Sequence, residues 1–144
     1  MVNDFFIQSN QIIMHQNNSK QFAGIWLDSQ HAMVITNSND GENGEYAVQD
    51  KVKAHEYHGG KGEHGSNNAD QANTHKFYKN IAALLSKYDE ILIFGPGKSQ
   101  EELLNFLSAD SHFNSKKMTV ETANQLTDPQ MIAQVRNFFK SHQS

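Results

Sequence analysis

The sequence lacks cysteine, contains only two prolines and has no long apolar run. Without cysteine there can be no disulfide, no cysteine-ligated zinc and no thiol catalysis, and the composition fits a reducing compartment. No apolar run approaches the roughly 18 residues that a membrane-spanning helix needs. Residues 1–21 lack both the basic start and the apolar stretch of a signal peptide. We therefore expect a cytoplasmic protein without a membrane partner.

Positive charge is also scarce, since 12 Lys and Arg stand against 16 Asp and Glu and give a net charge of −4. Binding of duplex DNA by bulk electrostatics is excluded, because it needs a clustered excess of basic side chains. Any contact with nucleic acid must then come from a local basic loop. The 144 residues fit one domain, and nine Phe, four Tyr and one Trp can fill one core although the mean hydropathy is only −0.69.

Apolar periodicity and turn-forming residues predict the order β-β-β-α-β-α-β-α. Such a chain forms a meander of three antiparallel strands, to which crossovers add two parallel strands. The predicted fold is α/β and ribonuclease H-like, a mixed five-stranded sheet with helices on both faces. Residues 1–21 would be a polar extension whose order the sequence leaves open, and residues 22–142 the single domain. The predicted segments are strands 22–28, 31–36 and 45–57, helix 72–88, strand 90–94, a helix from Ser99 with a capping box to Glu102, strand 117–122, and a last helix capped by Asp128.

A nuclease of this fold would need several carboxylates converging from the first strand, the fourth strand and a helix. Asp28, at the end of the first strand, is placed for one of them. The only acids of the fourth strand, Asp89 and Glu90, lie at its wrong end. The sequence therefore argues against a nuclease, and Asp28 is interpreted as a turn residue.

The run Gly95-Pro96-Gly97-Lys98-Ser99 ends like a phosphate-binding loop. That loop requires G-x-x-x-x-G-K-[ST], and the position of its first glycine is occupied by Leu92. What remains is a helix N-terminus that could hold an anion weakly through Gly95, Gly97, Lys98 and Ser99. The alternative is a tight turn from strand to helix.

Four histidines, His55, His58, His64 and His75, fall within a short stretch. His55, His58 and His64 are weak candidates for metal ligands. Residues i and i+3 of a strand point to opposite faces, and a glycine-rich loop loses much entropy when it is ordered around a metal. We predict no metal site and no cofactor.

A Gly- and His-rich loop follows the third strand, directly before the first helix. Its tip is His58-Gly59-Gly60-Lys61-Gly62. This tip, the later run from Ile91 to Gly97 and the element order resemble the middle domain of archaeal and eukaryotic class-one peptide release factors and of Pelota. The resemblance covers about residues 22–140, as if that domain stood alone. The chain also resembles small bacterial translational machinery proteins, which carry a His- and Gly-rich loop here.

In the release factors the corresponding loop carries Gly-Gly-Gln, inserts into the peptidyl transferase centre of the ribosome and positions water for peptidyl-tRNA hydrolysis. Gly59 and Gly60 match the glycine pair, and Lys61 stands in place of glutamine. Lysine has no carbonyl acceptor with which to position a water, although its cation could contact RNA phosphates.

The resemblance therefore implies a non-catalytic, translation-related factor that binds the ribosome or ribosomal RNA. Its contact element would be the loop Tyr57 to Asn68, with Lys61, His58 and His64 meeting the RNA. Two alternatives remain open. One is a protein-interaction module, with a protein partner or a homo-oligomer and no role in RNA binding. The other is an enzyme, either a histidine-metal hydrolase or a residual peptidyl-tRNA hydrolase.

Overall fold

A computed structural model of the protein describes residues 20–37, 45–54 and 66–141, with residues 66–70 described by their backbone alone. The described part contains five strands, three α-helices and one short 3₁₀ helix in the predicted order. These are β1 (Phe22–Leu27), β2 (His31–Asn37), β3 (Tyr46–Lys53), α1 (Ser66–Leu85), β4 (Glu90–Gly95), α2 (Ser99–Ser108), the 3₁₀ helix (Ser111–Phe113), β5 (Lys117–Thr122) and α3 (Asp128–Ser141).

The strands form one mixed sheet in the order β3-β2-β1-β4-β5. β1 pairs with β2 and β2 with β3 in antiparallel orientation, whereas β1 pairs with β4 and β4 with β5 in parallel orientation. Five consecutive residues are buried in each of the two central strands, as expected for strands covered on both faces. The predicted ribonuclease H-like fold is confirmed.

Two apolar cores lie on opposite faces of the sheet. α1 and α2 cover one face, where Phe77, Ile81, Leu103 and Leu107 pack against the strands. α3 covers the other face. Helical spacing predicts a buried stripe of Met131, Ile132, Val135, Phe138 and Phe139. In the structure Met131, Val135 and Phe139 are buried, and Ile132 and Phe138 are half-buried against the same core. No helix of the described ranges is both long and apolar enough to cross a lipid bilayer.

The start of α1 differs from the prediction. The sequence indicated a helix from about residue 72, whereas α1 begins at Ser66. The difference has a physical cause, since residues 71–76 are exposed or only half-buried and therefore carry no apolar periodicity. The last residues of the predicted contact loop, 66–68, thus belong to the helix.

The predicted caps of α2 and α3 are also wrong by one residue. Lys98 occupies the N-cap of α2 without a side-chain bond, so the predicted capping box does not form. At α3 the capping box is formed instead by Thr127 and Gln130. The Thr127 amide donates to Gln130 Oε1 at 2.9 Å, and the Gln130 amide donates to Thr127 Oγ1 at 3.3 Å.

All three α-helices run in the opposite direction to β1, β4 and β5. β3 also ends at the edge where β1 ends, because the Ala54 amide donates to the Gln30 carbonyl of the β1–β2 turn at 2.8 Å. The N-terminus of α3 reaches the same edge, where Lys51 lies 3.7 Å from Asp128. We call this side of the sheet the carboxyl edge, and the opposite side the amino edge.

Candidate functional site

The predicted contact loop has two anchors in the structure. His58, Gly59, Gly60, Lys61 and His64 lie outside the described residues, and their proposed contact with RNA stays a prediction. The chain leaves the sheet at Ala54, beside the β1–β2 turn, and is next described at the first residue of α1. The loop therefore starts from the carboxyl edge.

The first turns of α1 are largely exposed. Among the residues of α1 whose side chains are described, the first buried one is Phe77, eleven positions after Ser66. At 1.5 Å per residue the helix start lies about 16 Å along the helix axis from Phe77. Residues 66–76 are called the α1 overhang. Its side chains Gln71, Thr74 and His75 lie beside Phe106 of α2, so the overhang runs along that helix.

The α1 overhang contains one acid, Asp70, and one base, Lys76, so its net charge is zero. The first turn of α1 contains no acidic residue, so its helix dipole is not compensated there. Lys76 and Lys79 are exposed on the helix, and no acid occurs between residues 71 and 88. The net charge of −4 comes from residues outside the described ranges, which contribute five acids and one base. The charge balance over the described residues is neutral.

Gly95 lies at the end of β4, beside the backbone of Leu27 in β1. A Cβ atom on Gly95 would lie 2.1 Å from the Leu27 carbonyl oxygen. The carbonyl of Gly95 accepts a bond from the Ala123 amide at 2.7 Å and another from Gln100 Nε2 at 2.8 Å. Gly97, in contrast, has no atom within 4 Å of such a Cβ. Gly95 is therefore needed for the tight turn from β4 to α2, and Gly97 is open to substitution.

The N-terminus of α2 is occupied by contacts within the protein. Gln100 is 1% exposed and holds the turn. Glu102 Oε1 accepts a bond from the Tyr78 hydroxyl at 2.9 Å, and Ser99 also contacts that hydroxyl. Burial, together with the neighbouring Glu102 carboxylate, raises the pKa of Tyr78 well above its ordinary value of 10.0.

Acidic side chains already face the dipole of α2. Glu101 and Glu102 both lie in its first turn, so an anion held at Lys98 would meet two negative charges. Anion binding through Gly95, Gly97, Lys98 and Ser99 stays a prediction, and the observed contacts favour the alternative of a structural turn.

Asp28 is a turn residue. Its Oδ1 atom accepts bonds from the amides of Gln30 and His31, each at 2.8 Å, and so closes the β1–β2 hairpin. Among the described residues no group of three or more His, Cys, Asp or Glu could hold a metal ion. His55 joins His58 and His64 outside the described ranges, whereas His75 lies exposed on α1 with its ring edge against Phe106 at 5.5 Å between centroids.

The fold defines a class of protein, the ribonuclease H-like α/β domains. No protein-family model matches the sequence, and no curated protein matches it. Solved structures do match. Pelota of Archaeoglobus fulgidus is 11% identical with a TM-score of 0.56, over 92% of this chain and 35% of that one.

Two further structures share the fold. The archaeal translation termination factor aRF1 is 11% identical with a TM-score of 0.52, over 88% of this chain and 36% of its own. Dom34 of S. cerevisiae, a translation termination-like factor involved in RNA quality control pathways and interacting with Hbs1, is 20% identical with a TM-score of 0.51, over 97% and 40%. The chain thus spans less than half the length of these proteins. The resemblance to the release-factor and Pelota domain is shown at the level of the fold.

The α1 overhang and the Tyr78–Glu102 contact were not predicted from the sequence. The overhang has no apolar signal, and the contact joins two helices that are 24 positions apart in sequence. A long polar stretch directly before a strongly periodic helix was the one available hint.

Proposed function

We propose that the protein is a non-catalytic, translation-related factor that associates with the ribosome or its RNA through the loop Tyr57 to Asn68. The shared fold carries this proposal, because in this fold residues 55–65 connect the end of β3 to the start of α1, as in the resemblance described above. The largely exposed side chains of residues 71–76 leave this part of α1 accessible to a partner. The shared fold with Pelota and aRF1 supports the same class of partner.

The electrostatics of the overhang also support an RNA partner. RNA phosphates are attracted to an uncompensated helix N-terminus and to exposed lysines. Residues 57–79 contain three lysines, Lys61, Lys76 and Lys79, against two acids, Glu63 and Asp70, which gives this stretch a net charge of +1.

The proposed role does not include peptide release. Lys61 provides a cation but no carbonyl acceptor, so it cannot orient an attacking water as the resemblance implies for glutamine. We expect the wild-type protein to leave peptidyl-tRNA intact on ribosomes. Measurable hydrolysis that is lost in Lys61→Ala would overturn this part of the proposal.

Sedimentation of cell lysate through sucrose gradients tests the association. We expect the full chain to sediment with ribosomal particles at low salt and to be released as salt increases, because phosphate contacts release counterions. The measurement is made in growing and in starved cells. A protein that stays at the top of the gradient under every condition contradicts the proposal.

Charge reversals then locate the contact. Lys61→Glu should abolish co-sedimentation at a salt concentration that wild type tolerates, and Lys76→Glu should weaken it. Lys140→Glu is the matched control, because Lys140 is exposed near the end of α3 at the amino edge. Equal losses in Lys61→Glu and Lys140→Glu would indicate non-specific attraction rather than binding through the loop.

A further inference from the structure

β5 is an edge strand whose outer side has no partner among the described residues. Two hydrogen bonds identify the side of β5 that faces β4. The Lys117 amide donates to the Asp89 carbonyl at 3.0 Å, and the Ala123 amide donates to the Gly95 carbonyl at 2.7 Å. Because backbone groups alternate along a strand, the amides and carbonyls of Met118, Val120 and Thr122 point outward. They are free to form a new ladder of hydrogen bonds.

We propose that this edge pairs with β5 of a second copy of the chain, in antiparallel orientation about a two-fold axis at Thr119. An isologous contact of this kind requires a strand that is complementary to itself. The alternation of backbone groups restricts the register, since the outward-pointing residues of one strand must face those of the other. Only registers centred on a single residue satisfy this condition.

The charged side chains select one of these registers. With the axis at Thr119, Lys117 faces Glu121 of the second copy, and Glu121 faces Lys117. Met118 and Val120 then form the hydrogen-bonded pairs. An axis at Val120 would place Lys117 opposite Ala123, and an axis at Met118 would place it opposite Thr119. In both cases the charges lack partners.

The side chains of β5 are suited to this pairing. Met118 and Val120 are only partly buried against the core beneath α2, so a second strand would cover them further. Glu121 is half-buried and accepts a bond from Gln134 Nε2 at 3.2 Å through one carboxylate oxygen, which leaves the other oxygen for a lysine. Lys117 is exposed. The dimer would contain one continuous sheet of ten strands.

Pairing through β5 is independent of the proposed function. β5 is one edge of the sheet and β3 is the other, and the loop anchors lie at the ends of strands rather than along β5. In the antiparallel dimer the two carboxyl edges point in opposite directions. Ala54, from which the chain enters each candidate loop, follows the strand at the sheet edge opposite to β5.

Sedimentation velocity of the full chain at concentrations from about 1 to about 300 µM, a range in which weak dimers form, tests the proposal. We expect a reversible monomer–dimer equilibrium. Lys117→Glu or Glu121→Lys alone places like charges opposite each other twice in the dimer, and should raise the dissociation constant at least about ten-fold. The double variant, Lys117→Glu with Glu121→Lys, restores both pairs and should return the constant to within about three-fold of wild type.

The matched control is Lys79→Glu, an exposed reversal on α1 that should leave the equilibrium unchanged. Circular dichroism and a thermal melt of each variant confirm that it is folded. Carbodiimide treatment of the wild type should also give a covalent dimer linked between Lys117 and Glu121. These two residues lie about 13 Å apart along one strand, too far for a direct amide within one chain.

Three results would overturn the proposal. They are a monomer throughout the concentration range, a double variant as weak as the single reversals, or an equal effect of Lys79→Glu. A cross-link between other residues would show that the chain dimerises elsewhere. If the chain does not dimerise through β5, the proposed ribosome association is not affected. That association is tested separately, by sedimentation of the Lys61→Glu and Lys76→Glu variants with ribosomes.

Discussion

Replacement of Gly95 by alanine tests whether the β4–α2 turn depends on close backbone approach. The new Cβ would lie 2.1 Å from the Leu27 carbonyl oxygen, 1.3 Å inside the 3.4 Å at which ordinary contact begins. The opposing atom belongs to the backbone of β1, so no side chain can move aside. Relief of the overlap must separate the ends of the two central strands.

The expected cost follows from this displacement. Overpacking of a tight interior costs about 1–3 kcal/mol, and strained or lost bonds to the Gly95 carbonyl add about 1 kcal/mol. We expect a loss of about 3 kcal/mol in the free energy of unfolding. For a domain of this size that corresponds to a fall of about 6–12 °C in Tm.

Gly97→Ala in the same turn is the control. A Cβ there meets nothing within 4 Å, and the backbone is not left-handed, so the change should be neutral or stabilise by up to about 1 kcal/mol. Urea unfolding followed by circular dichroism and by the fluorescence of the buried Trp26 gives both values. A loss below about 1 kcal/mol for Gly95→Ala, or equal losses for the two variants, would refute the reasoning.

Three further predictions concern the helices, each measured by urea unfolding. Gly24→Ala would place its Cβ 2.3 Å from Val135 Cγ2 and should destabilise by about 1–3 kcal/mol, whereas the same change in a Val135→Ala background should cost clearly less. Lys116 Nζ donates to two carbonyls that follow α1, at 2.6 and 2.7 Å, so Lys116→Met should cost about 1–2 kcal/mol and Lys79→Met less than about 0.5 kcal/mol. Tyr78→Phe should cost about 1 kcal/mol at neutral pH. Because the folded-state pKa of Tyr78 is raised, wild type should lose stability as pH rises above about 10, and the variant should lose less.

The sheet could be predicted because its strands are marked by local signals. The continuous apolar run of β4 and the bounds of β5 need no tertiary information, and the hairpin turn at Asp28 follows from turn chemistry. The caps could not be predicted in the same way. The side chain of Ser99 contacts Tyr78 on another helix instead of capping its own helix. Which of these two contacts forms depends on how the helices pack.

The candidate site, too, could be predicted only where it has a local signal in the sequence. The Gly-Gly pair Gly59 and Gly60 is visible in the sequence, but the start of α1 at Ser66 is not. Apolar periodicity marks only those helical turns that bury apolar side chains. Exposed polar turns at the start of a helix, such as residues 66–76, therefore give no signal in the sequence.

The two ends of the described domain lie together at the amino edge. Gln21 is held there by reciprocal backbone and side-chain bonds with Asp89, and the end of α3 returns to the same place, where Phe139 stacks on Phe22 at 4.8 Å between ring centroids. Because the chain enters and leaves the described domain at this one edge, the domain can be inserted between two other segments without rearrangement of its core. Ala54, from which the chain enters the predicted contact loop, lies at the opposite edge. A probe attached next to Lys20 or Ser141 would therefore lie at the edge away from Ala54.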